Sequence, residues 1–246
     1  MRDEVTLSNG APTTGRDASR PGYSATLGRV ETYFDKTATR TWERLTSDAP
    51  VSKIRQTVRQ GRDRMRDLML SRLPADLTGH RVLDAGCGAG QMTIELAARG
   101  AEVLATDISP SLVQIAEARL PEALRKQVTF TSGDMLCHTL GQFDHVIAMD
   151  SLIYYDANDI GRALAALETR TGGSIVFTVA PRTKALMAMW YAGKLFPRSD
   201  RSPVMIPHDA GKLAQAASTQ GVLGQVKPIE RVTSGFYISQ LMEVRA

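Results

Sequence analysis

From Val51 to Leu70 the apolar positions Val51, Ile54, Val58, Met65 and Leu68 recur at three-, four- and seven-residue steps, the spacing of one helix face. Pro74 closes this predicted helix. Arg55, Arg59, Arg62 and Arg66 repeat on a neighbouring stripe, so the helix presents its cations together. Downstream the pattern changes. Short β-branched runs at 81–84, 101–106, 128–132, 145–150 and 173–180 alternate with helical periodicity at 91–99, 109–120 and 157–169. That alternation predicts parallel strands with crossover helices, a doubly wound α/β sheet that binds its ligands at the carboxyl ends of the strands.

Past Pro181 an apolar, helix-like stretch over 184–196 is followed by Pro197, Pro203 and Pro207, which reads as a lid insertion over 181–207. A helix over 209–220 and two strands, 225–231 and 236–245, flank Ser234-Gly235 and predict a terminal antiparallel hairpin. The sheet is therefore expected to have seven strands, mostly parallel, ending in that hairpin. Residues 1–22, with Asn9, Gly10, Pro12, Gly15, Ser19 and Pro21 and hardly any apolar content, read as a disordered tail. Residues 23–75 read as a helical arm and 76–246 as the sheet domain. A chain of 246 residues, 43% hydrophobic, suffices for one such body with an appendage.

The net charge of +4 is modest, but the arginine stripe concentrates it where an anionic partner could be met. Two cysteines, Cys87 and Cys137, are too few for a disulfide framework, so a reducing cytoplasmic setting is expected. The N-terminal stretch lacks the apolar run of a secretory signal. No uncharged apolar segment approaches the roughly 20 residues that span a bilayer, which predicts a soluble or peripheral protein. His138 and His145 lack ligand spacing and His208 follows a proline in a predicted loop, so no protein-bound metal is expected.

The strongest chemical signal is Val82-Leu83-Asp84-Ala85-Gly86-Cys87-Gly88-Ala89-Gly90. An acid ends a buried strand, and three glycines then let the backbone approach a ligand before a helix begins. A dinucleotide site normally shows G-x-G-x-x-G, whereas the spacing here is G-x-G-x-G. Asp84 would repel a pyrophosphate and attract the ammonium or sulfonium of S-adenosylmethionine. Asp107, twenty-three residues on, can accept both hydrogen bonds of a ribose diol, with Ile108 beside it to pack on adenine. Asp134 offers an acceptor for the adenine amino group, and Met135 a soft cover for the ring. Met149 and Asp150 end the fourth predicted strand above the same crevice. Cys87 marks space in the loop and is given no chemistry.

The flanking segments narrow the substrate. Tyr33-Phe34-Asp35, Trp42-Glu43-Arg44, Val51-Ser52-Lys53-Ile54-Arg55 and Val58-Arg59-Gln60-Gly61-Arg62 resemble the N-terminal arm of magnesium-protoporphyrin IX O-methyltransferases. Asp150-Ser151-Leu152-Ile153-Tyr154-Tyr155, Phe177-Thr178-Val179-Ala180-Pro181-Arg182-Thr183 and Phe236-Tyr237-Ile238-Ser239 are similar to later segments of that family. The resemblance runs from Tyr33 onward and looks closest to the purple-bacterial bacteriochlorophyll branch. It implies a Rossmann-like class I methyltransferase fold, S-adenosylmethionine as co-substrate, and methylation of the ring-C (13-) propionate of magnesium protoporphyrin IX. It also implies contact with the magnesium chelatase that makes that substrate. Relatives from oxygenic phototrophs commonly carry histidine where this chain has Tyr154 and tyrosine near Thr46, so an obligatory histidine base is not implied here.

A propionate, with a pKa of about 4.3, is already ionised at neutral pH and needs no general base. The reaction asks for placement and desolvation. Tyr154 is the expected hydrogen-bond donor to the carboxylate. Tyr33, Phe34 and Trp42 on the arm, with Met187, Met189, Trp190 and Tyr191 on the lid, are the expected faces for a flat macrocycle. Arg59 and Arg62 are expected to pair with the propionate that is not methylated, and an apolar lid could also grip a membrane surface. Three competing readings are a quinone-precursor hydroxyl methyltransferase, a nucleic-acid methyltransferase and a non-catalytic porphyrin or cofactor carrier. The first needs a base the chain does not clearly supply. The second lacks the Asn/Asp-Pro-Pro-aromatic motif after strand four, so no nucleic-acid partner is expected. The third conflicts with an intact cofactor loop.

Overall fold

The computed structural model describes residues 21–35, 53–184, 186, 187 and 204–245. Trp42, Thr46, Met189, Trp190 and Tyr191, with the tail 1–20 and most of the lid, lie outside the described residues.

Two helices precede the sheet, α1 (Pro21–Tyr33) and α2 (Lys53–Leu70). Then follow β1 (Arg81–Ala85), α3 (Gln91–Ala98), β2 (Glu102–Asp107), α4 (Pro110–Arg119), β3 (Val128–Ser132), β4 (Phe143–Ala148), α5 (Ala157–Glu168), β5 (Thr171–Val179), α6 (Ala210–Thr219), β6 (Gln225–Ser234) and β7 (Tyr237–Arg245). They form one seven-stranded sheet in the order β3-β2-β1-β4-β5-β7-β6. The first five strands are parallel, and β7 runs antiparallel between β5 and β6. The expected doubly wound sheet with its antiparallel hairpin is thus the observed one.

Local chemistry sets the element ends. Ser109 caps α4 by accepting the Leu112 amide, and Pro110 opens the helix with its φ already fixed. Asp156 and Asp209 cap α5 and α6 in the same way. Strand β1 is buried almost throughout because both faces are covered: Leu83 and Ala85 pack toward α5 and α1, and Val82 toward α2 and α3. Helix α2 lies on the β6–β7 hairpin, with Met65 and Met69 fully buried. Gly61 allows this approach, since a Cβ there would sit 2.6 Å from the Tyr237 ring.

Several boundaries differ from the sequence reading. Helix α1 starts at Pro21, inside the stretch assigned to the tail, because Tyr23, Leu27, Val30 and Phe34 fall on one buried face. Strand β4 begins at Phe143 across an irregularity in its pairing with β5 and stops at Ala148, so Met149 and Asp150 belong to the loop beyond it. Strand β6 continues to Ser234, and a short 3-10 turn, Glu122–Gln127, precedes β3. The two ends of the lid segment meet. Pro181 bridges His208, the His208 amide donates to the Ala180 carbonyl at 2.7 Å, and the Arg182 amide returns to the His208 carbonyl at 2.8 Å. His208, read from the sequence as a loop residue, is a buried tie whose Nε2 donates to the Tyr155 carbonyl at 3.0 Å.

Candidate active site

The carboxyl ends of β1, β2, β3 and β4 open into a cleft, the place where an open α/β sheet binds its ligands. Eleven of the residues expected at a site line it: Phe34, Arg62, Asp84, Gly86, Gly88, Asp107, Ile108, Met135, Met149, Asp150 and Tyr154.

Asp84 ends β1 fully buried, and its carboxylate accepts the Thr93 hydroxyl at 2.6 Å. Burial pushes its pKa up to about 7, against the lowering effect of Thr93 and aided by the charge of Asp107. Gly86 and Gly88 both take positive φ, 86° and 54°. A Cβ on Gly86 would fall 2.4 Å from the Ser151 Cβ, so glycine is required there twice over, by conformation and by contact. Asp107 organises the neighbouring loops. One carboxylate oxygen accepts the Gly88 amide and the other the Ser109 amide, each at 2.9 Å. Burial raises its pKa, with the two amides opposing.

Other expected residues stand elsewhere. Gly90, with φ 83°, is not in the cleft; a Cβ there would lie 2.9 Å from the Ala116 Cβ, so this glycine serves the contact between α3 and α4. Asp134 accepts the Tyr23 hydroxyl at 2.8 Å and the Leu136 amide at 2.9 Å, which ties α1 to the loop after β3. Tyr33 packs edge-on against Phe34, 5.1 Å between ring centres, and Phe34 faces the cleft. Arg59 is half-buried on α2 outside the cleft lining.

Arg62 is ion-paired with Asp150, the one described non-glycine residue with positive φ, 55°. Asp150 also accepts the Tyr237 hydroxyl at 3.2 Å and the Thr178 hydroxyl at 3.1 Å. Burial, and next the Asp150 charge, drive the Tyr154 phenol above its ordinary value, so at neutral pH it keeps the proton that a hydrogen-bond donor needs.

The sequence reading missed part of this wall. Leu27 and Val30 line the cleft, and with Tyr23 and Phe34 they make a face at helical spacing that was present in the sequence. Ser151 also lines it and no spacing rule singled it out; Arg66 lines it too, a cation of the helical stripe to which the sequence reading gave no place in the site. Thr93, buried on α3, gave no signal beyond its place nine residues after Asp84.

The residues present fit a cationic, adenosyl-bearing ligand. A buried acid whose ionisation is suppressed by desolvation is matched by a positive ligand group, and the glycine turns expose backbone at the same point. Asp84, the Gly86–Gly88 turn, Asp107, Ile108 and Met135 would hold it.

Two family models match, "Methyltransferase domain" over residues 82–171 and "Magnesium-protoporphyrin IX methyltransferase C-terminus" over residues 148–246. A magnesium-protoporphyrin O-methyltransferase of Rhodobacter capsulatus is 61% identical over 91% of this chain and 98% of its own length. One from Synechocystis is 29% identical over 87% of this chain and 94% of its own. The crystal structure of magnesium protoporphyrin IX methyltransferase from Synechocystis with bound S-adenosylhomocysteine superposes with a TM-score of 0.76 at 29% identity, covering 88% of this chain and 98% of that one. The chain belongs to the magnesium-protoporphyrin O-methyltransferase family.

Proposed function

We propose that this chain transfers the methyl group of S-adenosylmethionine to the ring-C (13-) propionate carboxylate of magnesium protoporphyrin IX, giving the monomethyl ester and S-adenosylhomocysteine. When bound, the cofactor supplies an electrophilic methyl group on a sulfonium. The chain's own residues do the rest. The Asp84 carboxylate and glycine turn seat the cationic end, and Leu27, Val30 and Phe34 shut water from one side of the cleft. The Tyr154 hydroxyl, held protonated, donates to a carboxylate oxygen and orients it. The magnesium belongs to the porphyrin.

The observation that carries this reading is the buried Asp84 and its positive-φ glycine turn in a cleft that a protonated tyrosine also lines. Chromatography of the ester after incubation with magnesium protoporphyrin IX and labelled cofactor tests it; binding without S-adenosylhomocysteine release would indicate a carrier instead. Ubiquinone-biosynthesis O-methyltransferases also match, at 35% identity over 50% of this chain. A phenol acceptor needs a base, and among the described lining residues there is no histidine or lysine.

The division into a 23–75 arm and a 181–207 lid around the 76–246 domain is part of the proposal, with Tyr33, Trp42 and Trp190 against the macrocycle. Arg59 and Arg62 are proposed to pair with the unmethylated propionate; an Arg59→Gln/Arg62→Gln double variant with unchanged porphyrin affinity would exclude that. Contact with magnesium chelatase and peripheral attachment to a membrane are proposed on the resemblance. Among the described residues no helix is long and apolar enough to cross a membrane. Co-sedimentation with anionic vesicles and pull-down by the chelatase subunits test the two separately.

A further inference from the structure

Tyr154 sits between β4 and α5, outside any helix or strand, so neither a ladder nor a helix fixes its backbone. Its phenol can orient a carboxylate only where that backbone is held, because the rotamers open to a side chain follow from its own φ and ψ. We infer that His208, where the lid segment returns to the sheet, is the positioning residue for Tyr154, an assignment that rests on the reading of Tyr154 as donor to the reacting propionate.

Each peptide unit is planar, so a residue's backbone is set once the planes on either side of it are set. Three consecutive planes around Tyr154 each carry a hydrogen bond. The Ile153 carbonyl accepts the Ile206 amide at 2.9 Å, and in the next plane the Tyr155 amide donates to the Leu152 carbonyl at 3.2 Å. In the third, the Tyr155 carbonyl accepts His208 Nε2 at 3.0 Å. Two of these three anchors come from residues 206–208, far along the chain from the loop they hold.

His208 also fastens that segment to the sheet. Its amide donates to the Ala180 carbonyl, just past β5, at 2.7 Å, and its own carbonyl accepts the Arg182 amide at 2.8 Å. One residue thus links the end of β5, through its backbone, to the loop of Tyr154, through its imidazole. The ring is buried, and burial lowers its pKa against the opposing effects of the Tyr155 bond and the Asp156 charge. It is therefore neutral at neutral pH and places its one proton on the nitrogen facing the carbonyl. Phe34 meets the Tyr154 ring edge-on at 6.2 Å between centres, a contact that limits the ring's swing without fixing the peptide planes behind it. A buried carbonyl that loses its donor turns toward another, and the plane that carries it rotates.

Steady-state kinetics on the full chain, with magnesium protoporphyrin IX and S-adenosylmethionine both saturating, test this beside calorimetry with S-adenosylhomocysteine. His208→Leu removes the donor and should lower kcat about tenfold while leaving S-adenosylhomocysteine affinity within about twofold. His208→Gln, whose amide nitrogen can reach the same carbonyl, should recover most of the rate. A double-mutant cycle is decisive: in a Tyr154→Phe background, His208→Leu should lower kcat by no more than about a further twofold, because the group it positions is gone. Ile206→Pro deletes the other anchor and leaves His208 in place. It should show the same loss and the same non-additivity, and it carries the test if His208→Leu does not fold. A full, multiplicative loss in the Tyr154→Phe background would make His208 merely structural and overturn the inference. So would parallel losses of kcat and cofactor affinity, or a wild-type rate in His208→Leu. If Tyr154→Phe alone turns over at the wild-type rate, or if wild type forms no ester, the reading of Tyr154 or of the reaction fails first and this assignment with it.

Discussion

Arg62 on α2 and Asp150 beyond β4 form an ion pair in which both side chains are largely buried, 16% and 9% exposed. Through Tyr237 and Thr178 the same carboxylate reaches β7 and β5, so one acid joins the arm helix, the sheet and the terminal hairpin at the rim of the cleft. Removing one partner of a buried pair strands the other charge, at about 3 to 5 kcal/mol. Arg62→Met is expected to lower the unfolding free energy by about that much in urea titration. Asp150→Asn added to it should restore part of the loss, because the stranded charge disappears while asparagine still tolerates the positive φ. An additive double variant would show that the pair contributes nothing as a pair.

Gly86→Ala should disable the site without unfolding the chain. Its φ of 86° costs an alanine about 1 to 2 kcal/mol, and the new methyl would meet Ser151 at 2.4 Å. The Ser151 loop must then shift, so S-adenosylhomocysteine affinity should fall by more than about tenfold for a stability loss near 2 kcal/mol. Gly88→Ala, with open space around its α-carbon, should be the milder change in the same calorimetric titration.

The strands and the acid-glycine loop were legible because they are local: a buried run, an acid at its end and glycines at fixed spacing all fall within nine residues. The hairpin was equally plain from Ser234-Gly235 between two strand patterns. What escaped depends on pairing distant segments. Gly90 looked like a ligand-binding glycine, and only the approach of Ala116 on α4 shows why it is glycine. Asp134 looked like a ligand acceptor, and only the docking of α1 reveals Tyr23 on its carboxylate. Arg66 read as one cation in a stripe, because its orphaned Nε is visible only once α2 is placed against the cleft.

Cofactor affinity should depend on pH through Asp84. Its pKa of about 7 in the free protein lies above the ordinary 3.8, so acid in this range neutralises the carboxylate proposed to meet the ammonium. Affinity for S-adenosylhomocysteine is expected to fall up to tenfold for each pH unit below about 7, with a proton released on binding there. The stability effect has the opposite sign. A raised folded pKa contributes stability that is full below the unfolded value and lost as pH rises through the folded one. Asp84→Asn should abolish both dependences, as titration calorimetry in buffers of different ionisation enthalpy and pH-dependent urea melts would record. A flat affinity profile in wild type between about pH 5.5 and 8 would contradict the assignment.

Tyr154→Phe should reduce kcat by about 10- to 100-fold at saturating cofactor, the value of one hydrogen bond to a charged oxygen. Because the wild-type phenol stays protonated, its contribution is constant across neutral pH. Tyr154→His should instead introduce a titration near about 6.5, with activity falling as the imidazolium loses its proton. A pH–rate profile for the histidine variant that parallels wild type would mean that residue 154 does not meet the reacting carboxylate.

Arg170 holds the Met135 side of the cleft from behind. It is 7% exposed, and its guanidinium donates to the Cys137 carbonyl at 2.6 Å and to the Met135 carbonyl, while lying 5.8 Å from the centre of the Phe143 ring. These bonds brace the loop that presents Met135 to the cleft and Asp134 to Tyr23. Burial lowers the arginine's pKa, but a guanidinium stays charged, so the brace persists across the working range. A lysine brings one compact ammonium to a place where a planar fork spans two carbonyls. Arg170→Lys is therefore expected to raise the KM for S-adenosylmethionine about tenfold and leave kcat within about twofold, since the reacting carboxylate is held elsewhere. A fall in kcat at constant KM would place Arg170 in the alignment of the methyl acceptor, against the position of its carbonyl partners in the loop after β3.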